Sequence, residues 1–187
     1  MAAAWMLVRI GWASIWSAMG GALGILGILA VASERVVFSG DLSILLALSV
    51  GILAGLVLYV ATAFFLRRVE WDALRRDSDG LYQHQEGHTL PRTLFVALLI
   101  VVPGEEFFWR GFVLGTGTEL AGEFLGALLA WGSYVVANLT SGSLPIILGA
   151  VVGGLVWTGL AALSGGVLTS IACHAVWTGL MIARRPA

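Results

Sequence analysis

The sequence has no lysine, one cysteine, and charge on only 11% of its 187 residues. A soluble domain of average composition carries about 25% charged residues. Without lysine, and with a net charge of −1, the chain is excluded as a strongly basic nucleic-acid binder. The lone Cys173 permits no internal disulfide and leaves the redox compartment open. There is no internal repeat, no low-complexity tract, and no long polar stretch apart from Arg67 to Arg92. The length suits one compact bundle and leaves no room for a sizeable soluble domain.

What is present is apolar. Hydrophobic residues make up 59% of the chain, and the mean hydropathy is +0.95. A spanning helix needs about 20 mostly apolar residues. Charges and helix breakers place six such windows, at about 8–32, 42–66, 93–115, 122–140, 144–163 and 167–183. The expected fold class is therefore all-α, a polytopic membrane bundle of about six helices. It divides into 1–92, two spans plus a polar loop, and 93–187, a four-span core. Arg9 followed by the apolar run Ile10 to Ala32 could pass for a secretion signal, but 23 residues exceed a typical signal core, so a retained anchor is expected.

With six spans and the N-terminus inside, Arg9, the five arginines of the polar loop, Arg184 and Arg185 all fall on the cytoplasmic side. Arg35 alone falls outside. This obeys the positive-inside rule and predicts both termini in the cytoplasm. Val69, Trp71 and Leu74 predict a short amphipathic helix lying on the membrane surface. Small-residue spacings at Gly20/Gly24, Gly111/Gly115 and Gly149/Gly153 predict close helix packing within the chain, with homo-oligomerisation as the alternative use.

The window 93–115 should cross the bilayer, yet its middle reads Pro103-Gly104-Glu105-Glu106-Phe107-Phe108-Trp109-Arg110. Three unpaired ionisable groups there would oppose insertion by about 8–10 kcal/mol. Glu106 and Arg110, four apart, share a helix face and can pair. Glu105 lies about 100° round the helix and must find water or a partner elsewhere. A carboxylate with no cation beside it is free to act as a general base. Pro103 and Gly104 favour a kink at this point. At about 1.5 Å per residue, Glu105 lies at a depth that His174 in the last span can meet, with Thr178 one turn beyond His174. Asn138, one turn after Tyr134, looks shallower.

These residues resemble the CAAX protease and bacteriocin-processing (CPBP, or ABI) family of intramembrane glutamic-type endopeptidases. The family's EExxxR motif is matched by Glu105, Glu106 and Arg110, followed by Gly111-Phe112. Its second motif, an aromatic residue followed four later by His, is met by Tyr134 but carries Asn138 at the His position. Its third, HxxxN or HxxxD, begins at His174 and carries Thr178 at the end. The resemblance covers about 93–183, including Gly153-Gly154-Leu155-Val156-Trp157. It implies that Glu105 activates a water for attack on a peptide carbonyl, supported by Glu106 and Arg110. It implies also that His174 and residue 178 stabilise the oxyanion, and that position 138 helps to hold the water. Asn138 cannot accept a proton, and Thr178 offers one hydroxyl donor where Asn would offer an amide.

The partners expected are the bilayer of a prokaryotic inner membrane and a peptide or protein substrate, lipidated or not. No cofactor and no nucleic acid are expected. A catalytically silent member acting in binding or bacteriocin immunity is the alternative, and a proton relay through the glutamates is a third. A zinc pair at His84 and His88, a thiol mechanism at Cys173, and a metal held by Glu105, Glu106 and His174 are weaker readings. Adjacent helical residues diverge by about 100°, and no HExxH is present.

Overall fold

The computed structural model describes residues 1–83 and 89–184, apart from the side chains of Ala2 and residues 81–83. The His84 and His88 pair lies outside the described residues. Within them the chain is all helical. The helices are α1 (Ala2–Arg9), α2 (Ile15–Ala32), α3 (Ile44–Arg68), α4 (Asp72–Gln83), α5 (90–121), α6 (Glu123–Leu139), α7 (Leu144–Ser164) and α8 (Leu168–Ala183). Three of these, α2, α3 and α7, are long and apolar enough by themselves to cross a membrane. Large apolar side chains such as Ile28, Leu53, Val57 and Phe64 face outward. A fold with apolar residues on its outside as well as its inside is built for lipid.

Local chemistry sets the ends. Ser14 caps α2, its hydroxyl accepting from Ser17 N at 3.2 Å, and Ser43 caps α3 in the same way at 3.4 Å from Leu46 N. Pro145 sits in the first turn of α7, where its missing N–H costs nothing. Gly165, with φ 67°, closes α7 in the left-handed conformation.

Two expectations are corrected. The first window is not one helix from about 8 to 32. Gly11 turns left-handed at φ 74°, and the chain restarts at Ser14. The expected loop 115–123 is also mostly helix, because α5 runs on to Ala121 and breaks only at Gly122, φ 82°. The amphipathic segment does form a helix, but it starts at Asp72. Trp71 precedes it, half exposed, while Leu74 is buried. Asp77 of α4 accepts a hydrogen bond from Leu144 N at 3.0 Å, so an acid sits on the positive N-terminal end of α7.

The tightest helix contacts fall at glycines other than the three expected spacings. A Cβ on Gly27 would lie 2.8 Å from Gly104 Cα, so α2 and α5 touch backbone to backbone beside Glu105. On α3, a Cβ on Gly55 would lie 2.6 Å from Cys173 O, and one on Gly51 would strike Thr169 O. Without hydrophobic force between helices in lipid, such close approach is what holds them together. Trp177 Nε1 adds a bond to Thr62 Oγ1 at 3.1 Å, fixing α8 against α3.

Candidate active site

The acid pair stands on α5 where that helix changes its winding. Ala97–Val101 and Glu106–Val113 are π-helical, with a short α segment Val102–Glu105 carrying Pro103 between them. Instead of a simple proline kink, the helix has two widened stretches. Single wide turns of this kind recur at functional sites. A third, Gly149–Gly153, lies opposite on α7.

Glu106 is fully buried and its Oε1 takes two donors. Arg110 Nη1 lies 3.3 Å away, as the four-residue spacing predicts, and His174 Nδ1 lies 2.8 Å away. A carboxylate oxygen accepts, so Nδ1 carries the hydrogen of this bond. The other ring nitrogen, Nε2, faces Glu105 Oε2 at 3.8 Å. One imidazole thus stands between both glutamates. Trp157 stacks on it, centroids 3.6 Å apart and planes 14° apart, which sets the plane of the ring.

Arg110 is packed by α6 and α7, though its buried Nε has no hydrogen-bond partner among the described residues. Its Nη2 donates to Gly154 O at 3.2 Å, and its guanidinium carbon lies 4.3 Å from the Tyr134 ring centre and 5.5 Å from that of Trp157. Cation–π contacts of this kind contribute about 0.5–2 kcal/mol each when desolvated. One cation therefore serves Glu106, and Glu105 has no direct bond to it.

Glu105 is 7% exposed, and its partner comes from α6. Tyr134 donates its hydroxyl to Glu105 Oε2 at 3.2 Å. The sequence shows Tyr134 only as the aromatic of the second motif. Its place one turn before Asn138, on the same helix face, is the signal that could have found it. Asn138 is buried and lines the same cleft. Its Nδ2 turns back onto Tyr134 O at 3.0 Å. Thr178 is half-buried and does not line the cleft, and among the described residues no hydrogen bond joins it to the cluster. Trp177, one residue earlier on α8, lines the cleft instead. Cys173 is fully buried in apolar surroundings with Leu58 and Trp157.

A cleft of about 1300 Å³ runs from Glu105, Tyr134 and His174 past Leu58, Phe65 and Met181 to Arg67, Arg75 and Asp79. It joins the buried polar cluster to the arginine-rich end of the bundle.

Fold and site together define a helical membrane protein with one buried cluster of two carboxylates, a guanidinium and an imidazole at the head of an apolar cleft. Residues 88–180, about half of the chain, match the family model described as type II CAAX prenyl endopeptidase Rce1-like. The chain belongs to this CAAX protease family. No curated protein and no solved structure matches it.

Proposed function

We propose that the protein is an intramembrane endopeptidase that hydrolyses a peptide bond with a water activated by Glu105. The observation that carries this reading is the division of labour between the two acids. Glu106 is hydrogen-bonded by Arg110 and His174, while Glu105 makes no bond to Arg110, stands 3.8 Å from His174 Nε2 and borders the cleft. Glu105 takes a proton from water as the oxygen attacks the peptide carbonyl. It returns that proton to the amine as the C–N bond breaks, giving one acid and one amine. Tyr134 O–H orients the carboxylate. His174 donates from Nε2 to the developing oxyanion, with Glu106 holding the ring through Nδ1. Preorganised donors of this kind supply about 2.7–4 kcal/mol each to such a transition state.

The cleft's apolar walls suit a membrane-embedded peptide, with or without a lipid group, and its arginine-bearing mouth suits entry from the cytoplasm. That orientation goes with six crossings, both termini inside, in a prokaryotic inner membrane. Purified protein in nanodiscs, presented with a fluorogenic peptide library, tests the reading. Cleavage by the parent protein that is lost in Glu105→Gln supports it.

One observation favours a silent binding protein instead. Asn138 turns its amide back to its own helix, and Thr178 stays off the cleft, so two family positions supply no acid–base group. Binding of peptides without cleavage, unchanged by Glu105→Gln, would select that reading.

A further inference from the structure

A second, smaller cavity of about 210 Å³ adjoins the main cleft at Glu105. Trp5 of α1, Ile15, Trp16 and Met19 at the start of α2, and Ile146 of α7 line it, with Glu105 at its wall. Five of its eight lining residues, Leu23 among them, lie outside residues 88–180, and only Val101, Glu105 and Ile146 lie within, so the family region alone does not build this chamber. Trp5, Ile146 and Glu105 line both cavities, which makes the proposed water-activating carboxylate part of their shared boundary.

The chamber is apolar except for that carboxylate and two indole N–H groups. Trp5 is only 6% exposed, and neither its Nε1 nor that of Trp16 has a hydrogen-bond partner among the described residues. A buried donor without an acceptor is costly to leave so, and indoles usually find one. An apolar cavity of about 150 Å³ takes a benzene molecule, so this one has room for a Leu, Ile or Phe side chain.

Resting on the peptidase reading above, we infer that the chamber is a substrate subsite for one large apolar side chain next to the scissile bond. The peptide lies in the main cleft with its scissile carbonyl at Glu105. The neighbouring side chain enters between Trp5, Ile15 and Met19, and a backbone carbonyl of the peptide accepts from Trp5 Nε1. Acidic side chains are refused because a carboxylate and no cation faces them. A missing or extra methylene in an apolar pocket changes selectivity by about 10–200-fold.

The test uses the full chain in nanodiscs and peptides varied at the residues flanking the cleaved bond. At one of those positions, Leu or Phe should exceed Ala and Asp at least 10-fold in kcat/KM. Ile15 lies at the half-buried rim, where added bulk is tolerated. Ile15→Trp should shift preference toward Ala, and Ile15→Ala should shift it toward Phe. A parallel readout needs no turnover: a peptide carrying a diazirine analogue of Leu at that position is photolysed on the protein. Its label should map to α1 and the start of α2.

Cleavage without side-chain discrimination, with the label confined to residues of the main cleft such as Trp177 and Met181, overturns the chamber and leaves the peptidase standing. Label in the chamber with no peptide cleaved sinks the peptidase reading and leaves a binding site. Neither cleavage nor label overturns both.

Discussion

Tyr134 reaches from α6 to Oε2 of Glu105 at 3.2 Å, and its ring lies under the Arg110 guanidinium at 4.3 Å. The same residue thus touches the free carboxylate with its hydroxyl and the bound cation with its face. Phe at this position keeps the second contact and loses only the first.

Tyr134→Phe should therefore lower kcat with little change in KM or in thermal stability. A hydrogen bond to a charged group contributes about 1.5–3 kcal/mol, equivalent to roughly 10–150-fold. Steady-state kinetics on the best library peptide gives the answer. A kcat within twofold of the parent would remove the hydroxyl from the mechanism.

Asn138 lies on the cleft wall one turn from Tyr134, where the family carries an imidazole. Asn138→His should raise turnover, since a positioned base contributes about 10²–10⁴-fold where geometry allows. The gain should be lost again in Asn138→His combined with Glu105→Gln. An unchanged rate in a folded single variant would mean that position 138 does not reach the reacting water.

Arg110 is expected to hold the fold as much as the site. Arg110→Met leaves Glu106 buried with His174 alone, and breaking a buried ion pair from one side costs about 3–5 kcal/mol. Arg110→Lys should recover little, because an ammonium cannot meet Glu106 and Gly154 O through one planar fork. Glu106→Gln with Arg110→Met should be more stable than Arg110→Met alone. Thermal unfolding in nanodiscs reads all three. Equal Tm values for Arg110→Met and the parent would contradict the ion pair's structural weight.

Much of the architecture was legible because lipid imposes simple rules. The ends of α3, α6, α7 and α8 fall within two residues of the windows read from charges and breakers. The Glu106–Arg110 pair follows from its spacing, and the meeting of Glu105 with His174 from depth. What escaped depends on packing. Gly115 and Gly117 read as a loop, yet lipid offers the backbone no competing hydrogen bonds, and α5 continues through them. The π winding at Glu106–Val113 leaves no mark in composition. Residues three and four beyond His174 share nearly one face, and the cleft takes Trp177, not Thr178. Tyr134's hydroxyl gains its meaning only from a glutamate 29 positions away.

Metal dependence follows from counting donors. Glu106 Oε1 is already engaged by Arg110 and by His174 Nδ1. Glu106 Oε2 has no hydrogen-bond partner among the described residues, but it is buried beside the Arg110 cation, which repels a metal ion. That leaves Glu105 and His174 Nε2 as two ligands, where a catalytic zinc takes three from the protein. Activity should survive prolonged chelation, and elemental analysis should find no stoichiometric metal. About one zinc per chain, lost with activity on chelation and restored with it, would make the glutamates ligands.

Replacing Glu105 tests the central assignment most directly. Glu105→Gln keeps the size of the side chain and an oxygen to accept from Tyr134, and removes only its ability to take a proton. In nanodiscs, with Tm held near the parent's, peptide cleavage should fall at least 10²-fold, the lower end of what a general base contributes. Retention of most of the parent's kcat in folded Glu105→Gln would contradict water activation by this glutamate.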